Sequence, residues 1–406
     1  MKIAIVGGGA AGLMAAAAII ESNPNSEIFL IDKNDSLGKK VIISGGGRCN
    51  VTTGIQDVKV VLNKYPRGSK FLNSAIHRFS PRDVYEWFES HGVPLKTEKD
   101  LRVFPVSNDG RDIVGVFEKL FRSSKVVLLM RTQVIGLERQ ADVFKLRLKG
   151  GDDLVVDKVI LTTGGQAYRQ TGSTGDGYAL AAALGHTITE LAPSLSALLT
   201  QETWPAEISG LSFPNVKTSS GKYWASGPIL FTHKGISGPA VFAFSSLVAF
   251  EKFDVQHPLE ITIDLYPEKS LDELTQSIEA LKRSEPKKSW PNILSRVVPK
   301  SLSEIICREL GLIEKKAADV SKQELAASVA WFKKMTIHVV SRSAGDEFVT
   351  AGGVNLQEVD PSTMQSIICP GLYFAGEILD IDGFTGGFNL QSAWATGHLA
   401  GSSLVG

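Results

Sequence analysis

The chain has 406 residues, 43% hydrophobic and 21% charged, an ordinary globular balance with room for two or three domains. Lys plus Arg and Asp plus Glu number 43 each, so composition signals no basic field for nucleic acid or an anionic membrane. The early apolar run Leu13 to Ile20 is too short to span a bilayer, and Cys49, Cys307 and Cys369 make neither a C-x-x-C pair nor a metal-ligand spacing; a soluble cytoplasmic monomer or homodimer without a metal is expected.

The chain opens on a buried-strand pattern, Ile3-Ala4-Ile5-Val6, that runs into Gly7-Gly8-Gly9-Ala10-Ala11-Gly12 and then a helix. This is G-x-G-x-x-G directly after a strand and directly before a helix, the context that makes it a dinucleotide-binding signal rather than a structural glycine turn. Gly7 permits the tight turn, Gly9 the approach of backbone to a pyrophosphate, and Gly12 close packing of helix on strand. Asp32 ends the next apolar run, Ile28-Phe29-Leu30-Ile31, where a carboxylate accepts hydrogen bonds from a ribose diol. Next come Lys39-Lys40, Val41-Ile42-Ile43 and Ser44-Gly45-Gly46-Gly47-Arg48-Cys49-Asn50. Three consecutive glycines outside any Gly/Ser linker point to backbone in close approach to a ligand, or to a strained turn.

Phe71 to Gly92 has helical spacing, with Ser80-Pro81-Arg82-Asp83 as a helix start, and Asp112 to Ser123 predicts a second helix. Val126–Met130, Val143–Leu148 and Leu154–Thr162 read as strands, the last ending in Thr163-Gly164-Gly165. Asp176 is placed to cap a helix over Gly177–Leu184. From Thr200 to Val255 short β-prone pieces alternate with Gly, Pro and Ser turns, and Pro258–Tyr266 is a clean strand pattern. Glu268–Phe332 turns helical, with a capping box at Ser321 and Glu324, and Met335–Val340 returns to strand. At the far end, strand Gly371–Glu377, the glycine-rich loop Asp380–Gly387 and a helix from Phe388 form a second strand–loop–helix unit.

The opening motif, the later Thr163-Gly164-Gly165 turn and the Phe374-Ala375-Gly376-Glu377 strand end resemble the FAD-binding fold of flavoproteins of the two-dinucleotide-binding-domain type. More specifically, Gly38–Thr52, Phe104–Ser107, Thr171–Gly177, Thr232–Ala240, Thr350–Val354 and Gly383–Gln391 are similar to blocks of the YhiN/BaiN-like bacterial flavoproteins. That family comprises NAD(P)/FAD-dependent oxidoreductases and includes aminoacetone oxidases. Asp32 departs from the more usual Glu of FAD-binding relatives.

The resemblance implies an α/β fold with three parts. These are a Rossmann-like FAD-binding domain over 1–189 and 345–406, a β-rich cover domain over 190–266 and 334–344, and a small helical domain over 267–333. It implies extended, non-covalent FAD, with Gly7, Gly9, Gly12 and Asp32 at the ADP half and Gly45, Gly46, Gly47, Arg48, Cys49 and Asn50 along the ribityl and flavin side. Val134 would offer adenine a backbone contact, Thr163, Gly164 and Gly165 would pass near the diphosphate or adenosine, and Gly376, Glu377, Gly386, Gly387, Asn389 and Leu390 would close on the ribityl chain and ring, with Lys33 and Lys40 as further contacts.

FAD carries the redox step, so a weak acid–base constellation does not argue against an enzyme. His233, beside Ser237, either moves a proton as hydride leaves or is a loop histidine bonded to backbone. Cys49 either faces the ring or packs as a small side chain, and Arg48 either binds an anion or forms a structural salt bridge. A second G-x-G-x-x-G after a strand is lacking, so NAD(P)H would act as a diffusible reductant, or oxygen would reoxidise the flavin. The expected activity is hydride transfer to or from FAD on a small organic substrate. The alternatives are a flavin-binding sensor and an NAD-dependent dehydrogenase using the first motif alone.

Overall fold

The structure is a computed structural model that describes residues 1–343, 345 and 347–404. Ala344 and Gly406, which end two of the expected segments, lie outside the described residues. The chain divides into two compact units, Met1–Ser194 with Gly345–Gly406, and Leu195–Ala344.

The first unit is built on a five-stranded parallel sheet in the order Leu372–Phe374, Lys158–Leu161, Lys2–Val6, Glu27–Ile31, Val126–Leu129. The opening strand lies at the centre, paired through Ile3↔Lys158 on one side and Ile3↔Ile28 on the other. A central parallel strand is covered on both faces, which is why Ile3, Ala4 and Ile5 form an unbroken apolar run with no exposed surface. The helix Ala10–Ser22 follows, and its Ala-rich sequence is buried all round from Ala10 to Ile19. It packs against the closing helix Phe388–Ser403 along a line of small residues, where added side chains at Gly397 and Gly401 would collide with the Ala11 and Ala15 carbonyl oxygens.

The apolar stretch expected as one strand over Leu154–Thr162 is two strands in different sheets. Leu154–Val156 completes a three-stranded antiparallel sheet with Val134–Gln140 and Val143–Leu148, and Lys158–Leu161 enters the parallel sheet. Asp157 makes the break: its N–H donates to the Lys2 carbonyl at 2.9 Å and its carboxylate accepts from the Lys2 N–H at 2.7 Å. The helical region around Ser80 is likewise two helices, Asn73–Arg78 and Pro81–Ser90, the second opened by a Ser80–Asp83 capping box.

The second unit is a closed six-stranded antiparallel barrel in the order Leu198–Thr200, Gly235–Ser237, Tyr223–Thr232, Ser212–Ser220, Leu259–Asp264, Met335–Arg342. The stretch from Thr200 to Val255 is therefore more regular than its glycines and prolines predict, with two strands of nine and ten residues and a helix, Pro239–Leu247. The register shifts between Phe213 and Val216, so Pro214 sits in an irregularity that bends the strand instead of ending it. Four helices, Leu271–Ser284, Trp290–Leu294, Lys300–Glu309 and Lys322–Lys333, are inserted between the last two barrel strands. Leu274, Ile278, Trp290, Leu325 and Phe332 share one buried cluster with barrel residues Ile261, Ile263 and Ile337, so the helices and the barrel have a common core.

Candidate functional site

The parallel sheet delivers its first turn at Gly7, whose φ of +113° belongs to the region that favours glycine. A side chain at Gly7 would run into Thr162 and Thr163, and one at Gly12 would collide with the Gly7 carbonyl oxygen. These two glycines thus serve strand–helix packing. Gly9 differs: a Cβ there would have no described atom within 4 Å, so its backbone faces open space. The helix it precedes has no side-chain cap and no acid in its first turn among the described residues. Its first N–H groups and positive dipole end remain available to an anion.

The Ser44–Gly47 turn has the same character. Gly46 and Gly47 have φ of +73° and +88°, and a Cβ on either would again meet no described atom within 4 Å. Gly45, in contrast, packs closely on Asn50 and the Phe104 ring. The Asn50 amide N–H donates to the Thr52 carbonyl at 3.1 Å, and its oxygen accepts from the Gly387 N–H at 2.9 Å. That contact joins the triglycine turn to the N-terminus of the closing helix, whose N-cap is Gly387 with φ +92°. This second helix also lacks a side-chain cap and a first-turn acid among the described residues. Gly376 approaches Ala11 of the opening helix, and Gly165 approaches Thr350 and Glu377. Segments near residues 7, 45, 165, 376 and 387 are therefore assembled within one unit.

The polar residues expected at the cofactor are mostly engaged with protein partners. The Asp32 carboxylate accepts from the Gly8 N–H at 2.6 Å and the Asn34 N–H at 2.8 Å, which makes it a brace for the opening glycine turn. Lys33 pairs with Asp176 at 2.6 Å. Burial alone would raise the Asp176 carboxyl, but hydrogen bonds from Lys33 and Thr174 bring it below its ordinary value. Asp176 is not the helix cap expected from sequence: Gly175 occupies that position in the left-handed region. Lys40 pairs with Glu377 at 2.7 Å, and Glu377 also accepts the Thr350 N–H at 2.9 Å. Asn389 turns inward on its own loop, accepting from the Gly383 N–H at 2.8 Å and donating to the Gly383 carbonyl at 2.7 Å. Leu390 is half-buried in the first turn of the closing helix. Val134 is buried and pairs with Leu148 in the antiparallel sheet, two residues after Thr132, whose N–H donates to the Asp32 carbonyl. Thr163 has a buried hydroxyl with no hydrogen-bond partner among the described residues, while Gly164, with φ +73°, abuts Ser173. Gly386, with φ +129°, abuts the Phe388 ring.

The three residues considered for chemistry separate. Cys49 has no exposed surface, and burial pushes its thiol up to about 12, so it remains protonated at neutral pH. Arg48 lies 3.8 Å above the centroid of the Phe104 ring and pairs with Glu98 at 2.7 Å, the structural salt bridge of its two sequence readings. His233 is exposed in the two-residue turn with Lys234 that joins Tyr223–Thr232 to Gly235–Ser237, in the unit that does not carry the glycine cradle. Glu98 and the contacts made by Phe104, Thr350 and Asp176 escaped sequence reading, because their partners lie dozens to hundreds of residues away.

The sequence matches the HI0933-like protein Rossmann domain over residues 1–403. The chain belongs to this family. Several relatives align along nearly the whole length. The 3-dehydro-bile acid delta(4,6)-reductase of Clostridium scindens is 30% identical, covering 98% of each chain. The ribosomal RNA dihydrouridine synthase of Escherichia coli is 28% identical, covering 99% of this chain and 97% of that one. Among solved structures, the open conformation of a flavocytochrome c3 fumarate reductase superposes with a TM-score of 0.50 at 16% identity, covering 100% of this chain and 78% of that one. The apo Sdh1 complex of Mycobacterium smegmatis gives a TM-score of 0.52, also at 16% identity, covering 100% and 68%. The HI0933-like chain is thus an α/β protein with a Rossmann-type FAD-binding domain and a β-rich insert, of a family of oxidoreductases. No helix among the described residues is long and apolar enough to cross a membrane, and no cluster of three or more potential metal ligands occurs among them.

Proposed function

We propose that this protein is an FAD-dependent reductase of a carbon–carbon double bond conjugated to a carbonyl. The observation that carries the reading is the chemistry shared by the whole-length relatives described above. One is named for reducing the 4,6-unsaturation of a 3-oxo bile acid, the other for producing dihydrouridine, and each name describes saturation of a double bond conjugated to a carbonyl. The residues fit the cofactor through the open cradle: Gly9, Gly46 and Gly47 present backbone to free space, and two uncapped helix N-termini supply N–H donors. On this reading Gly7 to Gly12 hold the ADP half, Gly45 to Asn50 line the ring side, and Gly376 and Gly386 to Leu390 close it. Bound FAD would supply a two-electron carrier between NAD(P)H and the substrate. The chain's own part is to fix the cradle. Asp32 braces the opening turn, the Lys40–Glu377 pair ties the helix before the triglycine turn to the Gly376 strand end, and Asn50 ties that turn to the closing helix.

The test is anaerobic mixing of the flavin-loaded protein with NADH and with NADPH, followed by a steroid enone, a small cyclic enone or uridine. The expected result is bleaching of the flavin bands by one nicotinamide and their return on addition of a conjugated acceptor. Bands that bleach only with an amine or alcohol donor, and return only with oxygen, would make it an oxidase. A flavin that neither nicotinamide nor any such donor bleaches would leave a binding or sensor protein.

A further inference from the structure

We infer that Glu98 is a positioning residue for the cofactor: through Arg48 and Phe104 it holds the triglycine turn in the shape that leaves its backbone open to the flavin. The turn does not hold itself. Gly45, Gly46, Gly47 and Cys49 all have positive φ, between +58° and +88°, and the three glycines bring no side chain to fix it. Cys49 is not a glycine, so its conformation persists only where the surroundings impose it. Arg48, with φ of −89°, is the one residue from 45 to 49 outside the left-handed region, and its long side chain tethers the turn.

The tether ends on a hairpin 50 residues away. Strands Leu95–Thr97 and Arg102–Pro105 enclose the reversal that carries Glu98. There the Glu98 N–H donates to the Arg102 carbonyl and the Leu101 N–H to the Glu98 carbonyl, both at 2.9 Å. The second strand also pairs with Thr52–Thr53, so the triglycine turn leads into the same small sheet. The Phe104 ring is fully buried against the turn: a Cβ added at Gly45 would come within 2.9 Å of it. The Arg48 guanidinium lies 3.8 Å from the centroid of that ring, and the Arg102 guanidinium 5.3 Å. Glu98 reaches both, at 2.7 Å and 3.6 Å, while Asp100 takes Arg102 at 2.7 Å and leaves Arg48 as the main partner of Glu98. A planar guanidinium laid on a ring and pinned by a carboxylate has little freedom left. A fully exposed ion pair contributes little, but the Arg48 and Glu98 side chains are only 32% and 31% exposed and close on a buried ring. On its other side the turn is tied by Asn50 to Gly387 at the start of the closing helix. Between these two ties lie Gly46 and Gly47, whose backbone faces open space.

The inference rests on the proposed function only in taking this turn as the flavin side of the cradle. The test uses the full chain and FAD, with no acceptor present. FAD affinity is read by equilibrium dialysis, the flavin potential by equilibration with a reference dye, and stability by urea unfolding of the flavin-free chain. Glu98→Gln keeps the shape and removes the charge. It should weaken FAD about fivefold and raise the potential, because an unopposed Arg48 favours the more negative, reduced flavin. Glu98→Asp keeps the charge and loses reach, so it should weaken FAD with a smaller change in potential. Arg48→Lys keeps the charge without the planar stack and should also weaken FAD about fivefold. Because both residues act through one anchor, Glu98→Gln combined with Arg48→Lys should lose no more than either change alone. Variants that lose stability yet hold FAD at the parent affinity and potential would overturn the inference, as would additive losses in the double variant. Reduction of a small enone by the same preparations separates the two readings. Enone turnover with FAD affinity and potential unmoved by these changes removes this inference alone. The expected changes in a protein that reduces no conjugated acceptor remove the proposed function alone.

Discussion

Gly9 and Gly12 stand three residues apart and would answer substitution by different physics. At Gly9 an added side chain enters open space and the backbone is extended, so Gly9→Val should leave stability within about 0.5 kcal/mol while abolishing flavin retention. Absorbance of the purified variant, read with its unfolding midpoint, checks both halves, and a variant with full flavin content would remove Gly9 from the cradle. At Gly12 the Cβ meets the Gly7 carbonyl, so Gly12→Ala should cost about 2 kcal/mol with or without flavin. Cys49, buried and protonated, should resist iodoacetamide in the folded protein at neutral pH, and Cys49→Ala should retain turnover within about twofold. His186 and His398 carry the pH dependence. Burial lowers both below the ordinary histidine value of 6.5, against the pull of Glu358 on the first and of Glu21 and Asp83 on the second. The unfolded chain then binds protons more tightly than the folded one. Stability is full above about pH 6.5 and is lost as pH falls through the lowered values. Unfolding midpoints between about pH 8 and 5 should show that fall, and it should be smaller in His398→Phe, which keeps the stack on Phe79 without a titrating ring.

The helices make a different use of glycine. Gly397 and Gly401 let the closing helix approach the opening one, and a side chain at Gly401 would press on the Ala15 carbonyl and the Ala18 methyl. Gly115, inside the helix Gly110–Arg122, has open space around its would-be Cβ. The same change therefore has opposite signs. Gly115→Ala should stabilise by about 0.5–1 kcal/mol through helix propensity, and Gly401→Ala should destabilise by about 1–3 kcal/mol through overpacking. Urea unfolding of the two variants beside the parent measures both. The helix starts were legible as elements: the Ser80 and Ser321 capping boxes form as their spacing predicts, since a cap needs only residues three apart. The two long barrel strands Ser212–Ser220 and Tyr223–Thr232 were not, because Pro214 and Gly227 look like strand breakers until the register shows the irregularity between Phe213 and Val216.

For the whole molecule, cofactor binding and stability are linked. If FAD binds only the folded chain, free flavin at about 100 times its dissociation constant should stabilise it by about 2.7 kcal/mol, and dialysis to the flavin-free form should remove that gain. A thermal midpoint that ignores added FAD would count against the cradle as a flavin site. Local sequence by itself determined the parallel-sheet start, the tight turn at Gly7, the helix-on-strand packing at Gly12, and the placement of a glycine-rich turn before the opening and closing helices. Each of these depends on backbone freedom and on residues a few positions apart. Only the tertiary structure decided that Lys33 belongs to Asp176, Lys40 to Glu377 and Arg48 to Glu98, and that Cys49 is sealed from solvent. An ion pair spanning up to 337 residues, or a thiol raised by burial, depends on which surfaces the folded chain brings together. That information lies in packing, which no local spacing encodes.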